Sequence, residues 1–483
     1  MRQRASVAPA TALVLRQLVE AGAVGSIVVI GLLADDWIAS LALVVLYAGW
    51  KLLKENGPPV VAASFTAQWI QVNAAVIYFA LSGRAVYQLR TSDYRPMVLI
   101  GLTAIAVLFA GFYLGAGYQR RGSTTRYIGT LLPFSTTQIA ISYSGALAVS
   151  SVLQQFAWSA TGLTQFLLVF NRVRYVLLFF LITRLARPKP RFAAIGAVLL
   201  LEVGLGFTGF FADFREPLLI TGLAIFGGMD RRKISTWTTI GAIAFLTVAS
   251  AFVWTAIKPI VRKSYVSNSS TIGKLNSAVN AAASTVSTGE SFIVFHGDTL
   301  VSRLWAVYYP SLALKRVPMV TPYENGAILM AAVDNVLTPR LFNPDKPAIP
   351  SQSDEVRKYA GVWVRGRESN TSIAFGYVGE SYVDFGVPWM FAPIFLYGLF
   401  IGVAYRLLIA RIRHAELRAG LTIVVVWSML GSYETSWVMM IGPAITILAV
   451  LGGGALVLDR FLWFSKAREM DVSSSVVALR IPV

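Results

Sequence analysis

What most limits the folds open to this chain is the recurrence of long apolar runs. About twelve can be marked, at 18–34, 37–53, 59–82, 97–117, 134–155, 163–183, 192–212, 216–229, 237–257, 388–410, 418–434 and 436–458. Crossing a bilayer takes roughly 20 mostly apolar residues, wound as a helix so that every backbone N–H and C=O is satisfied within the segment. The eighth run is short, and flanking side chains that reach the interface make up the difference. Charged residues are 14% of the chain, against about 25% in a soluble protein. The sequence therefore predicts an all-α polytopic membrane protein. Its basic start, Met1 to Arg4, leads into an apolar run followed at once by another, which reads as a retained first span and not a cleaved signal.

Lys and Arg outnumber Asp and Glu, 42 to 24. In a membrane chain that excess is expected in the cytoplasmic loops, so no nucleic-acid partner is implied. Basic groups cluster at Arg2, Arg4 and Arg16; Lys51 and Lys54; Arg120, Arg121 and Arg126; Arg184, Arg187, Lys189 and Arg191; Arg231, Arg232 and Lys233; Arg406, Arg411, Arg413 and Arg418; and Arg460, Lys466 and Arg468. With twelve spans all seven clusters fall on one side. Both termini are then cytoplasmic, and the polar segment 258–387, between spans nine and ten, is outside. Spans one to nine thus occupy 1–257, spans ten to twelve 388–460, and 461–483 forms a cytoplasmic tail.

A connector needs far fewer residues than that outer segment has, and its Trp, Tyr and spaced Pro and Gly argue for an ordered path. It reads as mostly helical at first: 299–309 carries apolar residues on one helical face, with Asp298 as an N-cap and Pro310 as the stop. The charged stretch 354–367 reads as surface.

Several arginines stand against the charge rule. Arg84, Arg90 and Arg95 follow span three, Arg172 and Arg174 sit in an apolar run, and Arg215 lies in Phe214-Arg215-Glu216-Pro217 between two spans. Either they snorkel or pair with Asp213 or Glu216, or they form a functional site. Outward-facing cations suit an anionic ligand, because a guanidinium stays charged and grips phosphate oxygens in pairs. Arg215, Arg303, Arg340 and Lys346 are the candidates for that contact, with Arg172, Arg174 and Asn370 beside them.

Carboxylates are few. Glu380 and Asp384 are four apart and would share a helical face, among glycines at 376, 379 and 386. One could serve as general base, or Glu380 could pair with an arginine or cap a helix. Glu434, between the last two spans, is a second carboxylate at the same level. His296 is a further candidate base; His414 falls on the cytoplasmic side. With no cysteine and two histidines, thiolate chemistry is excluded and a His- or Cys-rich metal site is not expected. No metal or other cofactor is expected. Neither a Gly-x-x-x-x-Gly-Lys-Ser/Thr phosphate loop nor a Gly-x-Ser-x-Gly elbow occurs.

The span pattern, the outer loop near the C-terminal end, Phe214-Arg215-Glu216-Pro217, the segment from Pro339-Arg340 to Lys346-Pro347, and the run from Asn370-Thr371-Ser372 through Gly379-Glu380-Ser381-Tyr382 to Phe385-Gly386 together resemble the bacterial oligosaccharide repeat-unit polymerases of the Wzy, or O-antigen polymerase, type. The likeness covers most of the chain topologically and about a tenth of it by motif. It implies a GT-C-like glycosyltransferase of the bacterial inner membrane, making an exported polysaccharide. Such an enzyme moves a glycan from undecaprenyl pyrophosphate to the non-reducing end of another undecaprenyl-linked repeat unit at the periplasmic face, beside a chain-length regulator and a flippase. Arg215 and Arg340 would hold the pyrophosphate. The related ligases carry an outer-loop histidine, which 370–386 lacks. A ligase-type glycan transferase, and a transporter or flippase of lipid-linked glycans, remain the alternatives.

Overall fold

A backbone segment that crosses lipid has to satisfy its own polar groups, which a helix does within the segment. The computed structural model describes residues 37–56, 58–117, 132–159, 163–187, 189–208, 214–229, 233–266, 290–338, 351–366 and 372–462, with Asn280, Asn343 and Glu368; among them there is no strand. In chain order the helices are α1 (Trp37–Asn56), α2 (Pro59–Ser82), α3 (Tyr87–Thr91), α4 (Arg95–Ala116), α5 (Thr136–Ser159), α6 (Thr164–Phe170), α7 (Val173–Leu185), α8 (Phe192–Thr208), α9 (Arg215–Gly228), α10 (Ile234–Val266), α11 (Glu290–Leu304), α12 (Tyr308–Leu314), α13 (Ala327–Leu337), α14 (Gln352–Glu355), α15 (Gly376–Phe385), α16 (Phe391–Arg411), α17 (Ala415–Leu430) and α18 (Trp437–Ile447). Helix α14 passes into a wider turn at Val356–Ala360, and α18 continues to Leu462 through another at Leu448–Gly452.

Six segments of the described residues are long and apolar enough to cross a membrane: Pro59–Ser82, Arg95–Ala116, Thr164–Leu185, Ile234–Thr255, Phe391–Arg411 and Trp437–Leu462. Shorter apolar helices run over Trp37–Leu53, Phe192–Gly206 and Ala327–Leu337. The chain is thus an all-helical, membrane-associated protein. The expected run at 18–34 lies outside the described residues.

Helices α4 and α16 make the closest crossing, and glycine permits it. Gly111 and Gly115 on one face Gly398 and Gly402 on the other, two Gly-x-x-x-Gly patterns laid backbone to backbone. A Cβ at Gly402 would stand 2.7 Å from Ala116 N, and one at Gly115 2.8 Å from Val403 N, closer than atoms of two chains can pack.

Polar side chains gather the helix ends into two groups. At what we call the basic end, Arg184, at the close of α7, holds Glu416 in the first turn of α17 with two bonds of 2.8 and 2.7 Å. Leu132 bridges the same pair, its N–H donating to Glu416 (3.1 Å) and its carbonyl accepting from Arg184 (2.9 Å). Arg187 donates to the carbonyls of Gly227 and Gly228 at the end of α9. Asp459 accepts from the backbone N–H groups of Arg413 and His414 and lies 2.7 Å from His414 Nδ1. At the opposite ends, Arg172 pairs with Glu216 across the starts of α7 and α9 (3.0 Å), and Ser150 bonds Asn171.

Helix α10 continues past position 258 to Val266. Two sequence expectations change here. Asp298 is in the body of α11 and caps nothing; it accepts a bond from Tyr78 Oη (2.6 Å) and pairs with Arg84 (3.4 Å). Pro310 falls in the first turn of α12, where its missing N–H leaves no intrahelical bond unmade, so it opens a helix that it was expected to close.

Candidate functional site

Helix α15 is the centre of the polar end, and residues 376–384 are all buried. Its start is tied to the loop between α17 and α18: Tyr377 N donates to Thr435 O (2.8 Å), and Tyr377 Oη to Gln68 Oε1 (2.8 Å) on α2. Gln68 in turn donates to Leu430 O (2.8 Å), and Gln71 accepts from Tyr433 N (2.6 Å). Gly376 has φ +81°, open to glycine without strain, and a Cβ there would meet Tyr433 O at 2.8 Å. One further turn along, Glu380 Oε2 accepts from Trp437 N (2.7 Å), the first N–H of α18, so the carboxyl sits where that helix's dipole is positive. Ser381 Oγ accepts from the Trp437 indole (3.0 Å).

Glu380 is 1% exposed, and its second oxygen has no other donor among the described residues. What it meets is another acid, Glu355, whose carboxyl lies within hydrogen-bonding reach. Glu355 is delivered by a capping box at the head of α14, where Ser351 Oγ accepts from Ser353 N and Asp354 from Ser351 N. Ser353 Oγ then bonds Arg365 O and Ile373 N, fixing the strand of chain around it. The stretch 354–367, expected to be surface, thus buries Val356, Tyr359 and Ala360 and half-buries Glu355. Two acids in contact cannot both ionise cheaply. Burial, and then the Glu355 charge, push Glu380 well above the carboxylate range; burial pushes Glu355 up to about 7.

Asp384 has a different occupation. Both its oxygens accept backbone N–H groups at the head of α13, from Ile328 (3.1 Å) and Leu329 (2.9 Å), and it is fully buried. It shares α15 with Glu380 but has both oxygens engaged in capping a neighbouring helix, whereas Glu380 keeps one oxygen for Glu355. Burial still raises it. Glu324, missed in the sequence, ties the same region together: it accepts from Lys358 (2.6 Å) and Tyr359 (2.9 Å), and the bond from Lys358 holds it below the usual range.

The third component is Arg215 at the head of α9. It is exposed, and its charge acts on Glu434, which is half-buried in the α17–α18 loop three residues before Trp437. Burial pushes Glu434 up to about 7 despite that cation. Arg215, Glu434 and the start of α15, far apart in sequence, are therefore brought to one end of the bundle.

The remaining candidates divide. Arg172 is paired with Glu216, and Arg174 is buried against the Tyr175 ring with its Nη2 donating to the Tyr175 hydroxyl (2.8 Å). Arg303 is exposed on α11 and His296 lies on the same helix, edge-on to Phe252 at 6.1 Å. That helix packs on α2 and α10, so His296 is a helical residue and not the loop residue expected. Burial, then the Arg303 charge, lower its basicity. Arg340, Lys346, Asn370 and Asp213 lie outside the described residues. Besides Glu324, sequence reasoning missed Glu355, Gln68 and Gln71; the two glutamines, three apart inside an otherwise apolar run, were the available signal.

The fold and this end define a class first: an all-helical membrane-associated protein with a buried acidic centre and an exposed arginine at one end of its bundle. Within that class the chain belongs to the family described as Domain of unknown function (DUF8712), whose model matches residues 123–406. The match takes in Arg215, Glu355 and all of α15, and stops short of Glu434. No curated protein and no solved structure matches the chain.

Proposed function

We propose that this protein is a GT-C-like polysaccharide polymerase of the bacterial inner membrane, crossing it about twelve times with both termini in the cytoplasm. Its substrates are undecaprenyl-pyrophosphate-linked oligosaccharides. The observation that carries the reading is the convergence of Arg215, Glu434 and the Glu355–Glu380 pair at one end of an apolar bundle. An apolar body suits the polyprenyl tail, and the arginine suits the pyrophosphate. The alternation of ends supports the topology, since Arg184, Glu416, His414, Asp459 and Arg187 all meet at the end that the charge rule assigns to the cytoplasm.

In this reading Arg215 binds the leaving pyrophosphate and offsets its growing charge, with Arg340 and Lys346 from the outer segment. The acceptor hydroxyl loses its proton to the acidic pair, Glu355 receiving it and Glu380 sharing it. The hydroxyl oxygen then bonds to the anomeric carbon of the donor glycan. The bond from that carbon to the phosphate oxygen breaks, and undecaprenyl pyrophosphate departs with the electron pair.

The test is a strain deleted for the gene and complemented with Arg215→Ala, its surface polysaccharide run on gels and its lipid-linked intermediates extracted in parallel. Loss of long polymer with accumulation of single repeat units is the expected result; normal-length polymer removes Arg215 from the chemistry. In the deletion strain itself, long polymer retained on its carrier would mark a ligase. Repeat units trapped on the cytoplasmic leaflet would mark a transporter.

A further inference from the structure

The part of the chain between α10 and α16 exposes a cluster of apolar side chains at two neighbouring turns. Met319 is 87% exposed, Val320 65%, Val387 54% and Trp389 71%. They come from two turns, 317–321 and 386–389, that are held together through α15. Tyr382 Oη donates to Val317 O (2.8 Å), Glu324 N donates to Val383 O (3.0 Å), and the Tyr323 ring packs on Gly386, 2.7 Å from where a Cβ would lie. Isolated exposed apolar residues need no explanation, but a cluster at neighbouring turns marks a contact surface.

Two independent features say what the contact is. The second turn leads directly into α16, one of the segments able to cross a membrane, so Trp389 stands at the head of a span, the level at which Trp collects in membrane proteins. The apolar helix α13, which follows the first turn, packs along α18, and its Val336 approaches Gly442, 3.5 Å from where a Cβ would lie. Gly442 is five residues inside the head of its own span, about 7 Å along the axis. This part of the chain therefore reaches below the head of α18 and lies level with the head of α16. Exposed Asp334 on α13 and exposed Lys315 before the first turn keep it from going deep.

We propose that the turns 317–321 and 386–389, with α13, seat in the headgroup boundary of the leaflet that α16 enters, so that a lipid surface completes this face of the protein. The inference does not depend on the reaction proposed above. Because the same turns bond to α15, the seat also sets the height of Glu380 relative to the leaflet.

The chain has no cysteine, so a single introduced one can be labelled uniquely. Met319→Cys and Trp389→Cys, each carrying a bimane fluorophore, are placed singly in nanodiscs of phosphatidylethanolamine and phosphatidylglycerol, one copy per disc. Trp363→Cys, at an exposed position in the same part of the chain, is the reference. Nitroxide-bearing lipid is expected to quench both test sites at least threefold more than the reference, and aqueous iodide to quench them less. Iodide quenching equal to that of Trp363→Cys at both sites would overturn the proposal. So would lipid-independent protection that appears only in discs holding two copies, which would assign the face to a second chain.

Discussion

The two ends of the bundle use charge in opposite ways. At the basic end each described charge that reaches inward meets its complement: Arg184 meets Glu416, Arg187 meets helix-end carbonyls, and Asp459 meets two N–H groups and His414. At the other end Arg172–Glu216 and Lys358–Glu324 are also paired, but beside them Glu380 meets Glu355, Glu434 is half-buried and raised to about 7, and Arg215 is exposed. Matched charge holds an arrangement in place. Acids packed so that they keep protons near neutrality contribute less to stability than they would if ionised and paired, and such arrangements concentrate at sites that do chemistry.

The largest effect should come from unmatching the basic end. Glu416→Ala leaves the Arg184 guanidinium without its bidentate partner in a buried setting, and is expected to cost about 3–5 kcal/mol, read as a lower thermal midpoint in detergent. A midpoint equal to wild type would mean that the two ends do not differ as described. At the site end the sign reverses. Glu355 and Glu434 bind protons more tightly folded than unfolded, so their contribution favours the fold most below the ordinary carboxyl range and is lost as pH rises through about 7. Stability should accordingly fall between pH 5 and pH 8. Glu434→Gln should flatten that slope and add on the order of 1–2 kcal/mol at pH 8. An unchanged slope in the variant would show that Glu434 is already ionised in the fold across that range. Smallest of all, Arg215→Ala should change stability by less than about 0.5 kcal/mol, as exposed positions do, while removing polymer. A variant that loses both would make Arg215 a structural residue.

Much of the architecture was legible because lipid forces a simple code. The expected runs at 59–82, 192–212 and 216–229 correspond to α2, α9's neighbour α8, and α9 with starts displaced by one residue at most. Long-range pairing was not legible. Nothing local distinguishes Glu355, which turns inward, from Asp354, which is exposed, because the difference is made by Ser353 bonding to Arg365 and Ile373. Asp384 looked like an equal of Glu380 because both fall on one face of α15. Its use as a cap for α13 depends on where a segment 55 residues away comes to rest, as the bonds from Ile328 and Leu329 show. The arginines that stand against the charge rule were visible individually, whereas their division into paired Arg172 and exposed Arg215 required the third dimension.

The α4–α16 crossing bears on how a mutational scan of this protein should be interpreted. At Gly111, Gly115, Gly398 and Gly402 there is no space for even a methyl group, so replacements there will be among the least tolerated in the chain for steric reasons alone. Arg215 will tolerate replacement in any assay that reads only the amount of protein. Ranking positions by sensitivity alone would put a steric seam ahead of the chemistry, and only a scan scored separately for protein level and for product can separate the two.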